Sequence, residues 1–524
     1  MSKVISAAEA ARIVRSGSTL TVCGVVGALC PEKVLAAVEE RFLAEGEPRD
    51  LTVVCPVAVG DVWDLPGMDR FAHEGMTRRF IAGSYVIGTS PKTGKGPRAV
   101  EMILRDEVEG YNFPIGALFN LHRDIAAGRP GHVTDVGLHT FVDPRRGGGK
   151  INRRAEENLV ELVTIGGREY IFYKAYPIDV AIIRGTTADE DGNIAMEHEG
   201  MYSGVLVQAL AAHNSGGKVI AQVERVAARG SLNPQLVRVP GNVVDAVVVD
   251  PQQVQATGIA FDPAVSGEVR VPADQVARAL PLTPEKVIGR RALMELRRGQ
   301  TVILGFGVPS LLPSIAWEEG LLADYTFTIE HGAVGGVPLA GFQFGVAANP
   351  MAIVDCPTHF DYIDGGGVDV ACLSFAEVGP DGSVNVSKLP QMIPGCGGFI
   401  DITHRARRIV FCGTFTAGGY KAAVEDGRLA IKQEGRFQKF VREPHHLTLS
   451  GAYAWRKGQR ITYISERGVF ELTEEGPRLV EVAPGVDVRR DIAAQMRFEL
   501  RVAADLRPME PLLFRPEPGG ARML

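Results

Sequence analysis

DVAIIRGTTADEDGNIA, residues 179–195, and DVACLSFAEVGPDGSVN, residues 369–385, are two versions of one passage. Each opens Asp-Val-Ala, continues as an apolar run, and reaches Asp-Gly twelve positions after its first aspartate (Asp191-Gly192 and Asp381-Gly382). The apolar runs read as buried strands, and Asp-Gly between β-type runs is a hairpin signal.

The likeness extends upstream. Ser6 with Glu9 three positions later has the capping-box pattern in SAAEAARIVRS, Gly17 offers a stop, and TLTVCG reads as a strand. In TPEKVIGRRALMELRRG, Thr283 and Pro284 suit the N-cap and N1, and Ile288, Ala292 and Leu296 share a helical face. Gly299 ends that pattern and TVILGFG follows. Capped helix, glycine, strand and glycine loop thus recur in order. From Gly17 to Asp179 is 162 residues and from Gly299 to Asp369 only 70, so the first copy carries about 90 extra residues, assigned to about 85–170.

Apolar runs (FIAG, VAIIR, VIAQV, AVVVD, TVILG, AIVD, RIVFCGT) alternate with helical patterns. That alternation predicts an α/β chain of two similar open domains on mainly parallel sheets. The expected division is 1–265, with its insertion, and 280–524; the joint is assigned to 262–283 and the Pro/Gly-rich end to a surface tail.

Composition narrows the function. The 524 residues are 45% hydrophobic and 23% charged, with net charge −6, which gives no electrostatic footprint for nucleic acid or an anionic membrane. Seven cysteines at irregular spacing, without a CxxC, favour neither a disulfide framework nor a zinc site and point to a reduced, cytoplasmic chain. TLTVCGVVGALC (19–30) is too short to span a bilayer. Histidines 331, 359, 404, 445 and 446 lack HxH or HExxH spacing, so no metal is expected, and GxSxG is absent. PKTGKGP (91–97) lacks the Gly-Lys-Ser/Thr of a phosphate loop, and Arg145, Arg146 and Lys150 read as a basic loop able to meet an anion.

Three glycine-rich clusters remain. YTFTI (325–329) leads into Glu330-His331-Gly332-Ala333-Val334-Gly335-Gly336, placing an acid where a strand gives way to a turn, the position at which open α/β sheets bind ligands. An ordinary surface turn fits the same pattern. The corresponding first-half turn, taken as Ile81-Ala82-Gly83-Ser84, has no acid. Pro394-Gly395-Cys396-Gly397-Gly398-Phe399 lets backbone N–H groups converge, as an oxyanion hole requires, though a crossing loop reads the same. Gly305-Phe306-Gly307-Val308-Pro309 follows a strand and opens toward a helix, but Ser310 replaces the third glycine of a dinucleotide fingerprint.

EHGAVGG (330–336) resembles the Glu-x-Gly-x-x-Gly-Gly motif of family I coenzyme A transferases, and PGCGGFIDI (394–402) their Gly-x-Gly-Gly-Phe motif. FQFGVAANP, GGGVDVACL, IVFCGTFTAGG and, in the first half, CGVVGALCPE and TFVDPRRGGGKIN are similar to the acetate/propionate type, in which both halves are fused. The resemblance implies a duplicated CoA-transferase fold with its active site between the halves and Glu330 as nucleophile. It implies acyl-CoA and short-chain carboxylates as substrates, coenzyme A as the only cofactor-like group, and a homo-oligomer, dimer or tetramer. Glu330, ionised at neutral pH, would attack the thioester without a general base and pass through an anhydride to a glutamyl-CoA thioester. Gly397 and Gly398 are the expected oxyanion donors. Gly305 and Gly307, with Gly395, are assigned to the CoA arm and Asn349 to the acyl pocket; His331 and Cys396 are read as bystanders. An acyl-CoA hydrolase on the same scaffold and a non-catalytic acyl-CoA-binding protein are the alternatives.

Overall fold

The structure, a computed structural model, describes residues 3–61, 64–86, 88–89, 94 and 96–519. Of PKTGKGP, Pro91, Lys92, Thr93 and Lys95 lie outside the described residues.

Seven strands form the first sheet: β1 (Thr19–Val22), β2 (Leu51–Cys55), β3 (Thr77–Ala82), β4 (Glu109–Asn112), β5 (Val180–Arg184), β6 (Lys218–Val223) and β7 (Ala246–Val249). Their order is β7-β6-β5-β1-β2-β3-β4, and every neighbouring pair is parallel. The second sheet begins with β8 (Thr301–Leu304), β9 (Thr326–Thr328), β10 (Ala333–Val334), β11 (Ala352–Ile353), β12 (Val370–Leu373), β13 (Arg408–Cys412) and β14 (Arg460–Ile464). Its order starts β11-β10-β9-β8-β12-β13-β14, then continues through three strands from 468 to 508. In that order the five strands from β9 to β14 pair in parallel; antiparallel pairs extend both edges, and the outermost strand, Arg501–Pro508, lies parallel to its neighbour.

The two orders superimpose with β1 on β8, β2 on β9 and β5 on β12, and the hydrogen bonds repeat. Asp179 Oδ2 accepts the N–H of Thr19 at 2.7 Å, and Asp369 Oδ2 that of Thr301 at 2.8 Å. Gly17 donates to the Arg49 carbonyl and Gly299 to that of Asp324, at 2.8 and 2.7 Å. Each Asp-Gly pair joins a short antiparallel hairpin. The shared Asp-Val-Ala therefore has a physical reason: the aspartate closes the start of the neighbouring strand, and Val and Ala enter a buried one.

The extra stretch of the first half supplies β4, the helix Ile115–Ala126 and a three-stranded antiparallel sheet of Gly131–Thr134, Val160–Ile165 and Arg168–Lys174. Thr283 caps the helix Pro284–Leu293 and Ser6 caps the first helix in a full capping box. That first helix ends at Ala11, because Arg12 and Ile13 make i→i−3 bonds that turn Val14 into the core.

The C-terminal segment departs from the expected surface tail. Met509, Leu513 and Phe514 are at most 1% exposed. The fully buried Arg290 donates to the carbonyls of Leu513, Arg515 and Glu517 and pairs with Glu319 at 2.9 Å, while Gly519 donates to Glu319. A buried guanidinium needs a full set of acceptors, and the tail backbone provides part of it.

Candidate active site

Glu330 stands at the tip of a tight hairpin. β9 runs antiparallel to β10 with Thr328 opposite Val334, and Ile329 and Gly332 close the turn by backbone bonds. Gly332 has φ +105°, and a Cβ there would lie 1.9 Å from the Val354 carbonyl oxygen. Only glycine fits, and it fixes the carboxylate two residues past the strand.

The carboxylate enters a cavity of about 340 Å³. Val25, Val26, Val57, Ala58 and Ser84–Val86 form the wall from the first half; Gly305, Phe306, Phe342, Phe344, Leu373–Ala376 and Pro394–Phe399 are among those from the second. Among the described lining residues none is Lys or Arg. The lining is overwhelmingly apolar, and desolvation raises the Glu330 carboxyl from 4.5 to about 7. Burial therefore works against the fully ionised carboxylate expected at neutral pH.

The glycine loop lies against that carboxyl. The Gly398 amide donates to it, and a Cβ at 398 would fall 2.3 Å from Oε2. Gly397 corrects the expected pair of oxyanion donors: its N–H goes to the Gly83 carbonyl at 2.8 Å, and its own carbonyl accepts from Ile115. Cys396 donates its N–H to Asn112 Oδ1 at 2.8 Å, Asn112 Nδ2 donates to the carbonyls of Ala82 and Gly83, and Gly395 bridges to Ser84. The second-half loop is thus stitched to the carboxyl ends of β3 and β4. One loop amide, that of Gly398, is left for the chemistry.

The remaining expected residues divide. Gly305 and Gly395 line the cavity; Gly307 does not, its carbonyl accepting from the hydroxyl and N–H of Ser310. Asn349 lies outside the cavity, in contrast to the expected acyl-pocket role. Its side-chain amide exchanges two hydrogen bonds with the Val271 backbone and so fastens the segment joining the two sheets. Arg145 is neutralised by Asp143 and Glu169, and Lys150 donates to Asn158. The first-half turn matching Glu330 follows β2, at Pro56-Val57, rather than β3 at Ile81–Ser84, because β2 occupies the place of β9.

Asn112 and Ile115 hold the loop without having been singled out by sequence, and Gly83 and Ser84, read there only as a turn, hold it too. Nothing local marks them for this role, since each acts through a partner about 300 positions away. All seven cysteines are free and buried, and burial drives the Cys396 thiol well above its usual range, which suits packing. Among the described residues no cluster of His, Cys, Asp and Glu fits a metal, and no helix is long and apolar enough to cross a membrane.

The family model for coenzyme A transferase matches residues 4–250. Acetate CoA-transferase YdiF of Escherichia coli K12 is 40% identical over 513 residues, covering 98% of this chain and 95% of that protein. Caffeate CoA-transferase of Acetobacterium woodii is 43% identical over 522 residues, 98% of each chain. The crystal structure of acyl-CoA transferase YdiF from E. coli O157:H7, in a thioester complex with CoA, aligns with a TM-score of 0.92 at 38% identity over 99% of this chain and 97% of that one. Similarity of this extent, in sequence and in fold, means that the chain belongs to the coenzyme A transferase family and is an enzyme that transfers CoA.

Proposed function

We propose that the chain moves CoA between short-chain carboxylates of the acetate and propionate class, with Glu330 as the covalent carrier. The observation that carries this reading is the Glu330 carboxyl itself: enclosed in an apolar cavity, raised in pKa, and touched by the Gly398 amide.

A Glu330 carboxylate oxygen attacks the acyl-CoA carbonyl, forming a tetrahedral oxyanion. Collapse breaks the C–S bond and gives an acyl–glutamyl anhydride and CoA thiolate. The thiolate attacks the glutamyl carbonyl, expelling the first carboxylate and leaving a glutamyl-CoA thioester. An incoming carboxylate retraces the path and leaves as its own CoA ester. No proton is transferred and no phosphoanhydride is consumed, because one thioester replaces another.

The structure suits each demand. Desolvation makes the ionised carboxylate a stronger nucleophile than one in water. The apolar walls keep water from the anhydride. The Gly398 N–H serves the glutamyl carbonyl when sulfur or carboxylate adds there; one such donor is worth about 3–4 kcal/mol. We place the pantetheine arm past Gly305 and Phe306, which line the cavity. As an oligomer the protein is proposed to be a dimer or tetramer acting in the cytoplasm, which light scattering and fractionation test.

Intact mass after incubation with acetyl-CoA tests the carrier. The expected result is a CoA-sized adduct that borohydride destroys and that Glu330→Gln never forms. Wild-type turnover with no adduct would remove Glu330 from this role. Product formation without added acid would indicate hydrolysis instead.

A further inference from the structure

His331 follows the reacting carboxylate and is 3% exposed. Neither ring nitrogen has a hydrogen-bond partner. Nε2 stops 3.6 Å from Glu330 Oε1, beyond hydrogen-bond length. Phe344 meets the ring edge to face, with centroids 6.2 Å apart. Gly345 packs against the other side of the ring, its Cβ position 3.6 Å from Nδ1, an ordinary contact that offers no polar partner. Burial, with His359 nearby, holds the ring neutral, its pKa down at about 3. A neutral imidazole carries one N–H and one lone pair, and leaving both buried and unpaired is costly. Yet the ring lines the cavity beside the nucleophile.

The reaction supplies the missing acceptor. When a glutamyl oxygen attacks acyl-CoA, the acyl carbonyl oxygen becomes an oxyanion and needs a donor of its own. The Gly398 amide is on the carboxyl, nearest Oε2, and the Gly397 amide is held by Gly83. Oε1 is the oxygen turned toward His331. Resting on Glu330 as the nucleophile, we infer that the His331 ring N–H donates to the oxygen of the acyl group joined to Glu330 Oε1, serving as a second oxyanion donor across the carboxyl from Gly398. The acyl carbon gains its bond to Oε1 while the C–S electron pair leaves with CoA thiolate. No proton moves, and the imidazole stays neutral throughout. In the return half-reaction the same N–H holds the spare oxygen of the incoming carboxylate. A protonated ring would instead pair with Glu330 and blunt its attack, so a low pKa serves the donor role.

Single-turnover formation of the glutamyl-CoA adduct from acetyl-CoA, followed by quenched intact mass, tests the inference in wild type, His331→Leu and His331→Gln. The leucine variant should form the adduct about a hundredfold more slowly, with Tm unchanged or raised because a buried unpaired group is gone. The glutamine variant, which restores an N–H donor, should recover at least tenfold of that loss. Acyl-CoA KM should move less than threefold in both. Adduct formation at the wild-type rate by His331→Leu overturns the inference. So does equal slowing in both variants, which would assign the ring a shape role. Absence of an adduct in the wild type strikes the carrier reading of Glu330 itself, a failure separable from either.

Discussion

Gly398 leaves Glu330 no room for a neighbouring side chain: a Cβ would sit 2.3 Å from Oε2 and 2.9 Å from Cδ. Gly398→Ala must push the carboxyl off its amide donor. Transfer should fall by about a hundredfold or more, the order expected for an oxyanion donor, while circular dichroism and Tm stay near wild type. Steady-state kinetics beside a melting curve checks this.

Burial of Glu330 sets a pH signature. Attack needs the ionised form, so kcat/KM should rise with pH through about 7 and level off above it. Stability should run the other way. The folded carboxyl titrates at about 7 and the ordinary one at 4.5, so the native state keeps a proton that the unfolded chain has lost between them. Stability is therefore fullest below about 4.5 and is drawn down as pH rises to about 7, by up to about 3 kcal/mol. Glu330→Gln lacks that titration, and its Tm advantage over wild type should be larger at pH 8 than at pH 5.

The duplicated aspartates offer a matched pair. Asp179→Ala and Asp369→Ala each remove a carboxylate that accepts a strand-opening N–H. Each should cost about 1 kcal/mol, with similar drops in Tm, and the double variant should show their sum, since they share no partner. Unequal or strongly coupled losses would mean that the two aspartates do different work.

Arg290 and Glu319 hold the C-terminal segment from a site with no exposure to water. Glu319→Ala leaves that guanidinium short of its counter-charge and should destabilise by about 3–5 kcal/mol. It should also free the stretch after Met509, which limited proteolysis would report as cleavage there before any loss of the core.

Much of this molecule could be read from its residues. The Asp-Val-Ala repeats and their Asp-Gly turns encode local geometry, and both copies fold as that pattern demands. Glu330 was legible for the same reason, since a strand followed by Gly332 places its side chain locally. The loop was only half legible. Consecutive glycines announce available amides, but whether Gly397 keeps its own free depends on Gly83, and whether Cys396 is held depends on Asn112. The tail misled because Pro and Gly outweighed Met509, Leu513 and Phe514, whose burial depends on an arginine more than 200 positions upstream. Asn349 misled likewise: its bonds to Val271 are tertiary.

The sutures from Gly395, Cys396 and Gly397 to Ser84, Asn112 and Gly83 constrain how a substrate gets in. A clamshell motion prising the sister lobes apart would tear away the very peptide that faces the carboxylate. The half-exposed ring of Phe306 stands in the wall of the same cavity. The bonds that present the Gly398 peptide to Glu330 are thus themselves bonds between the two lobes, so seating the catalytic loop and joining the halves are one and the same event.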